Sequence, residues 1–239
     1  MVLKEKDFIE IEFTGRIKDT GELFDSNIAK DLEIAGLQKQ ETKPFIFSLG
    51  QGMFLQGVDE FLLGKEVGKY QIELPPEKAF GPRQNNLIQL VPMKVFQQQK
   101  VNPLAGSMFN FDGRIGKILS VSGGRVMVDF NNPISGKAVI YDINVLRKIE
   151  NLNDRIKSFI GFIFRRDLVF EVKPDKLVIE VEKAMVQFAE LFKDKFKDLF
   201  GLNLEIKETV EQAKDAVEAA TGKESLEQTE DISKEGNIV

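Results

Sequence analysis

The chain has 239 residues, room for two domains or three small ones, with 42% hydrophobic residues and a formal net charge of −5. It contains no Cys and no His but 20 Phe, which excludes disulfide frameworks, thiol nucleophiles, zinc-thiolate centres and Ser-His-Asp triads. Residues 211–239 hold eight acids against three lysines, so the rest is close to neutral and exerts no long-range pull on polyanions. Carboxylate and lysine chemistry, hard-cation sites and catalysis that moves no proton remain open.

From the start, Lys4, Glu5, Lys6 and Asp7 stand where a signal peptide would need an apolar stretch, and no run approaches the roughly 18 apolar residues of a membrane span. A cytosolic protein is expected. Ile9, Ile11 and Phe13 alternate with Glu10 and Glu12, which predicts a half-buried strand over 7–14. Residues 18–22 read as a turn, and 44–49 alternate again. Residues 57–63 predict a short amphipathic helix stopped at Gly64. Tyr70, Ile72 and Leu74 mark a strand ended by Pro75-Pro76, and Val139, Tyr141, Ile143 and Val145 mark another. Strands with one short helix between them predict an antiparallel α+β fold.

The roughly 50 residues between Gly81 and Asn132 are too many for a structureless loop. Strand signals at 87–91, 108–111, 115–121 and 125–130, with hairpin turns at Asp112-Gly113 and Gly123-Gly124, predict an inserted all-β domain. After Glu150 the period becomes helical, opened by an Asn cap at Asn151 or Asn153. Two short strands near 168–172 and 176–182 follow. Met185, Phe188, Phe192, Phe196 and Leu199 then form a helical stripe ending at Gly201, with a last strand near 202–206. Beyond 208 the chain is charged and reads as a disordered tail. The expected domains are thus 1–82 with 132–150, an insert at 83–131, a small C-terminal α/β domain at 151–207, and the tail at 208–239.

Three ordered stretches carry a family resemblance: Phe47 to Lys69, Leu74-Pro-Pro-Glu-Lys-Ala-Phe-Gly81, and Val128-Asp-Phe-Asn-Asn-Pro-Ile-Ser-Gly-Lys137. Together they resemble the FKBP-type prolyl isomerases, in particular SlyD-type members with a domain inserted into the flap, and the third domain is similar to that of long archaeal members. The resemblance implies a proline pocket at Phe13, Phe24, Asp25, Phe45, Phe54, Leu55, Val58, Phe80 and Tyr141. It assigns catalysis to Asp25, Leu55 (through its backbone N–H), Phe80 and Tyr141, and puts Val58 at the pocket floor. Phe13 and Phe80 stand where the family commonly has Tyr, and Asn132 where it has His. The resemblance also implies chaperone activity in the insert, with Met93, Phe96 and Phe109 on a surface that captures unfolded chains; the alternative is that these apolar residues are the insert's own core, as some of them must be. No cofactor, metal, nucleic acid or membrane is expected. The expected partners are unfolded polypeptides with Xaa-Pro segments and, through the C-terminal domain, a second copy of the chain.

Other readings stay open. Any single Phe could be plain core, and Asp25 a turn or capping residue. The chain could be a holdase with a degenerate pocket. Gly113 to Asp129 looks somewhat like a KOW-type RNA-binding motif, with Arg114, Lys117 and Arg125 basic but no stacking aromatics among them.

Overall fold

The computed structural model describes residues 2–36 and 42–209; the acidic tail lies outside the described residues. The chain divides at Arg165 into two compact units.

The first unit begins with strand β1 (Phe8–Ile17), β2 (Leu23–Ser26), helix α1 (Ala29–Ile34), β3 (Phe45–Ser48), α2 (Gln56–Leu62) and β4 (Gly68–Leu74). It continues with β5 (Ile88–Pro92), α3 (Met93–Gln98), β6 (Met108–Phe111), β7 (Arg114–Ser122), β8 (Arg125–Asp129), β9 (Val139–Lys148) and α4 (Leu152–Phe164). Strands β2, β1, β9 and β4 lie in that order in one sheet, and β3 also pairs with β1. All of these pairings are antiparallel, and the class is α+β as expected. β1 alternates as its sequence demands: Ile9, Ile11 and Phe13 are buried, while Glu10 and Glu12 face Arg147 and Asn144 of β9. Helix α2 ends at Gly64, whose φ of +80° is the left-handed conformation glycine adopts without strain. The helix sits close on the strand behind it, because a Cβ at Gly57 would come within 2.5 Å of Leu74.

Residues between β4 and β9 build a second sheet in the order β5-β8-β7-β6. It is not all-β. Met93–Gln98 forms a helical turn that lays Phe96, 1% exposed, onto Ile118, Val126 and Val128. The two strands of chain that enter and leave this sheet are tied together. Asn131 accepts from the Gln84 N–H and donates back to its carbonyl, and Arg83 holds Asp129.

The N-terminal boundary of the C-terminal domain also differs from expectation. Asn151 does cap α4, accepting from the N–H groups of Asn153 and Asp154. That helix belongs to the first unit, packing near β3 with Ile156, Phe159 and Ile160 buried. The second unit therefore starts at Arg166 rather than 151. It contains β10 (Phe170–Val172), β11 (Lys176–Val181), α5 (Val186–Glu190), α6 (Lys193–Phe200) and β12 (Asn203–Glu208), with β12 parallel to β11. The expected continuous helical stripe is broken at Leu191 and Phe192. The break allows Ala189 and Phe196 both to be buried, each from a helix packed near β12, and leaves Leu191 78% exposed. Among the described residues no helix is long and apolar enough to cross a membrane.

Candidate functional site

A cleft of about 410 Å³ opens in the first unit, lined by Phe13, Asp25, Asn27, Pro44, Phe45 and Phe54, with Leu32 at its edge. Phe54 is its hub. The Phe54 ring lies 5.0 Å from Phe13, 5.7 Å from Phe45, 5.5 Å from Phe47 and 5.7 Å from Tyr141, centroid to centroid. Phe24 meets Tyr141 edge-on at 5.8 Å and Phe80 edge-on at 5.5 Å. Val58, expected at the pocket floor, and Tyr141 are wholly buried and do not line the cleft, while Phe24, Phe45, Phe54, Leu55 and Phe80 stay partly open. Offset and edge-to-face contacts of this kind hold rings in place beyond their burial alone.

Sheet register explains how residues far apart in the chain meet here. Gly15 on β1 stands opposite Asp25 on β2 and opposite Tyr141 on β9, so the three form one row across the sheet. The Tyr141 ring passes over the glycine, and its hydroxyl donates to Asp25 Oδ2 at 3.4 Å. A Cβ at Gly15 would lie 2.9 Å from both the Tyr141 and Phe24 rings, so only glycine leaves this crossing free. Phe13 has no hydroxyl, and Tyr141 brings one to Asp25 instead. Burial pushes the Asp25 carboxyl above its ordinary value, and the Tyr141 hydroxyl and the Ser26 N–H pull it partway back. Burial and the neighbouring Asp25 carboxylate push the Tyr141 phenol well up, so it stays a proton donor.

The remaining polar groups are few. The Leu55 N–H donates to nothing among the described residues, while the Leu55 carbonyl accepts the first N–H groups of α2. The Phe80 carbonyl accepts from the Ser135 hydroxyl at 3.0 Å, which tethers the segment after β4 to the loop before β9. Among the described residues there is no group of three or more acidic side chains able to hold a metal ion.

Two supporting residues escaped the sequence reading. Asn27 accepts from the Phe13 N–H at 2.7 Å and donates to the carbonyls of Ile11 and Lys43, which pins the cleft wall. Asp59, next to Val58 on α2, is 5% exposed; the backbone N–H groups of Gly50 and Gly52 are near enough to favour its charge, while its Oδ1 has no hydrogen-bond partner. This sets the carboxyl against the loop that delivers Phe54 and Leu55. The only sequence signal was a Gly-x-Gly a few residues before an acid on a helix.

The insert corrects another expectation. Met93, Phe96 and Phe109 do not form an open surface. Phe96 is the centre of the insert's own core, Phe109 meets it edge-on at 5.6 Å, and Met93 packs on the same cluster. The open apolar residues lie on the other side of the sheet. Leu90 is 57% exposed, Ile115 60%, Met108 49% and Met127 37%, and Leu90 stands directly opposite Met127. Strand alternation carries the signal, since Met127 lies between the buried Val126 and Val128.

Residues 2–99 match the family described as FKBP-type peptidyl-prolyl cis-trans isomerase, and residues 89–134 match the FKBP26 IF domain. The chain is 30% identical over 148 residues to a short-type peptidyl-prolyl cis-trans isomerase of Methanocaldococcus jannaschii, covering 60% of this chain and 92% of that relative. It is 34% identical over 110 residues to an FKBP-type 16 kDa peptidyl-prolyl cis-trans isomerase of Escherichia coli K12, covering 44% of this chain and 73% of that one. It is also similar to the SlyD isomerase of Helicobacter pylori, at 26% identity over 140 residues, 57% of this chain and 69% of the relative.

Burial pushes the Asp59 carboxyl from 3.8 up to about 6. The folded chain therefore holds this proton more tightly than the unfolded chain. The resulting stabilisation is complete below the unfolded value and is lost as pH rises through about 6. Urea titrations of wild type and Asp59→Asn between pH 4 and 7 should show wild type losing on the order of 2 kcal/mol more than the variant. Parallel pH curves for the two would contradict this account of Asp59.

Proposed function

The chain belongs to the FKBP-type peptidyl-prolyl cis-trans isomerase family, and on that premise we propose that it turns over Xaa-Pro bonds in the cleft between Phe13, Phe45 and Phe54. The observation that carries this is the cluster of aromatic rings at a small opening, where Phe13, Phe45 and Phe54 stand beside Asp25 and the neighbouring Leu55 N–H has no hydrogen-bond partner among the described residues.

Rotation about the prolyl amide must cross roughly 18–20 kcal/mol set by resonance. The planar ground state is dipolar and well solvated by water. The twisted state has lost conjugation and is less so. An aromatic cleft that strips water from the amide therefore favours the twisted state. In this reading Phe54 seats the pyrrolidine ring, with Phe13 and Phe45 beside it. The Leu55 N–H holds a substrate carbonyl and so fixes one side of the rotating bond. Asp25, oriented by the Tyr141 hydroxyl, faces the carbonyl carbon side of the amide, and Phe24 with Phe80 closes the rim. Each of these groups acts by position, and no bond to the protein forms.

We assign the second part of the function, holding unfolded chains, to the outer face of the inserted sheet rather than to its core. Leu90, Met108, Ile115 and Met127 lie exposed on one face, and the flexible Met side chains suit apolar segments of varied shape. A client held there presents its prolines at a raised local concentration to the cleft.

A protease-coupled assay on a short Xaa-Pro peptide should find kcat/KM reduced about 10- to 100-fold by Phe54→Ala, which opens the wall. Tyr141→Phe keeps the packing and removes only the hydroxyl, so a loss of about three- to tenfold is expected. Full activity in the Phe54 variant would sink the assignment. Replacing Leu90, Ile115 and Met127 together by Ser should leave short-peptide turnover intact and slow a proline-limited refolding reaction by about tenfold or more. Equal effects on both substrates would argue against a separate holding surface.

A further inference from the structure

A second opening, of about 590 Å³, runs between the inserted sheet and the loop before β9. At one end it reaches Phe24, which also forms part of the aromatic wall, with Ile17 beside it. At the other it reaches Leu119 and Met108 of the insert, and Pro133 and Ile134 line the loop side. Apolar groups (Ile17, Phe24, Met108, Leu119, Pro133 and Ile134) thus share this opening with polar ones, among them Asn131, Asn132 and Ser135.

Its charges are unevenly matched. Five charged residues line it: Arg83, Lys117 and Lys137 against Glu22 and Asp129. Asp129 is fully engaged. Its Oδ2 accepts two N–H groups of Arg83, and its Oδ1 accepts from the backbone and side chain of Asn131. These contacts hold Asp129 below the usual carboxylate range despite burial. Lys117 stands opposite Asp129 in the β7–β8 register, yet Asp129 has no oxygen left for it. Among the described residues neither Lys117 nor Lys137 has a carboxylate partner, and both are exposed on the rim. Only Glu22 offsets them.

We infer that this opening binds the client segment flanking the proline, and that it selects an extended apolar stretch carrying acidic side chains, read by Lys117 and Lys137. The inference rests on the isomerase reading of the aromatic cleft and adds a substrate preference to it. The apolar groups accept the chain, and two unpaired ammonium groups set the sign of the charge it prefers. Exposed pairs of this kind are individually weak, so the preference is one of degree and weakens with salt.

The test uses the full chain and three peptides sharing one Xaa-Pro core. One is unextended; the other two carry an apolar spacer followed by Glu-Glu or by Lys-Lys, placed on either side of the proline in separate sets. On at least one side, kcat/KM for the acidic extension should exceed that for the basic one by about three- to tenfold at low salt. The ratio should fall toward one in Lys117→Ala/Lys137→Ala and invert in Lys117→Glu/Lys137→Glu, with the unextended peptide as each variant's own reference. A ratio of one on both sides, with the unextended peptide turned over normally, overturns the charge preference alone. Failure to turn over the unextended peptide overturns the isomerase reading and takes this inference with it. Competition by a short single-stranded RNA at lower concentration than the acidic peptide would assign the rim to nucleic acid instead.

Discussion

The pairing of β1 with β9 is the interaction on which the site depends. It joins residues from the first strand to residues more than a hundred positions later, from Ile9 opposite Lys148 to Ile17 opposite Val139. Within it, one row places Gly15 between Asp25 and Tyr141. A one-residue slip would turn Tyr141 to the opposite face and remove both the ring that supports Phe54 and the partner of Asp25. The glycine at the crossing is as necessary as the two groups it separates, because any side chain there would occupy the space of the Tyr141 ring.

The same pairing constrains the insert. Everything between β4 and β9 must leave the first sheet and return to neighbouring strands, since β4 and β9 are themselves paired from Gly68 to Leu74. The exit and return are held side by side by Gln84 with Asn131 and by Arg83 with Asp129. Other polar side chains fasten the site in the same way: Asn27 on the cleft wall and Ser135 on the Phe80 segment. The cleft keeps an aromatic wall of Phe13, Phe45 and Phe54, the feature its proposed chemistry needs.

The first sheet was largely legible from the sequence. Alternation at Ile9, Ile11 and Phe13 and at Tyr141, Ile143 and Val145 marks strands because one face is buried and the other wet. Gly64 and Asn151 mark helix ends because their conformations and side chains suit those positions. The residues of the aromatic wall came from resemblance rather than from pattern. Strand register was not legible, since it depends on which distant strand pairs with β1, and so the meeting of Tyr141 with Asp25 was hidden. In the insert the sequence supplied apolar residues but not their faces. Phe96 turns inward because Met93–Gln98 coils into a helix that caps one side of the sheet, and that short helix has no periodicity long enough to read. The break at Leu191 was invisible for the opposite reason. Its stripe of Phe is periodic, but burying both Ala189 and Phe196 requires two helices rather than one. Asp59 carries only the weak signal of a Gly-x-Gly before it, because its environment is set by the loop that folds against it.

The central claim is that a dry aromatic cleft accelerates rotation about a prolyl amide without moving a proton. NMR exchange spectroscopy on an Xaa-Pro peptide with the full chain, in H2O and in D2O across pH 6 to 8, tests it most directly. The account predicts cis/trans exchange well above the rate in buffer, with a rate that is flat in pH and nearly equal in the two solvents. Exchange no faster than in buffer, or a catalysed rate that drops severalfold in D2O, would contradict it.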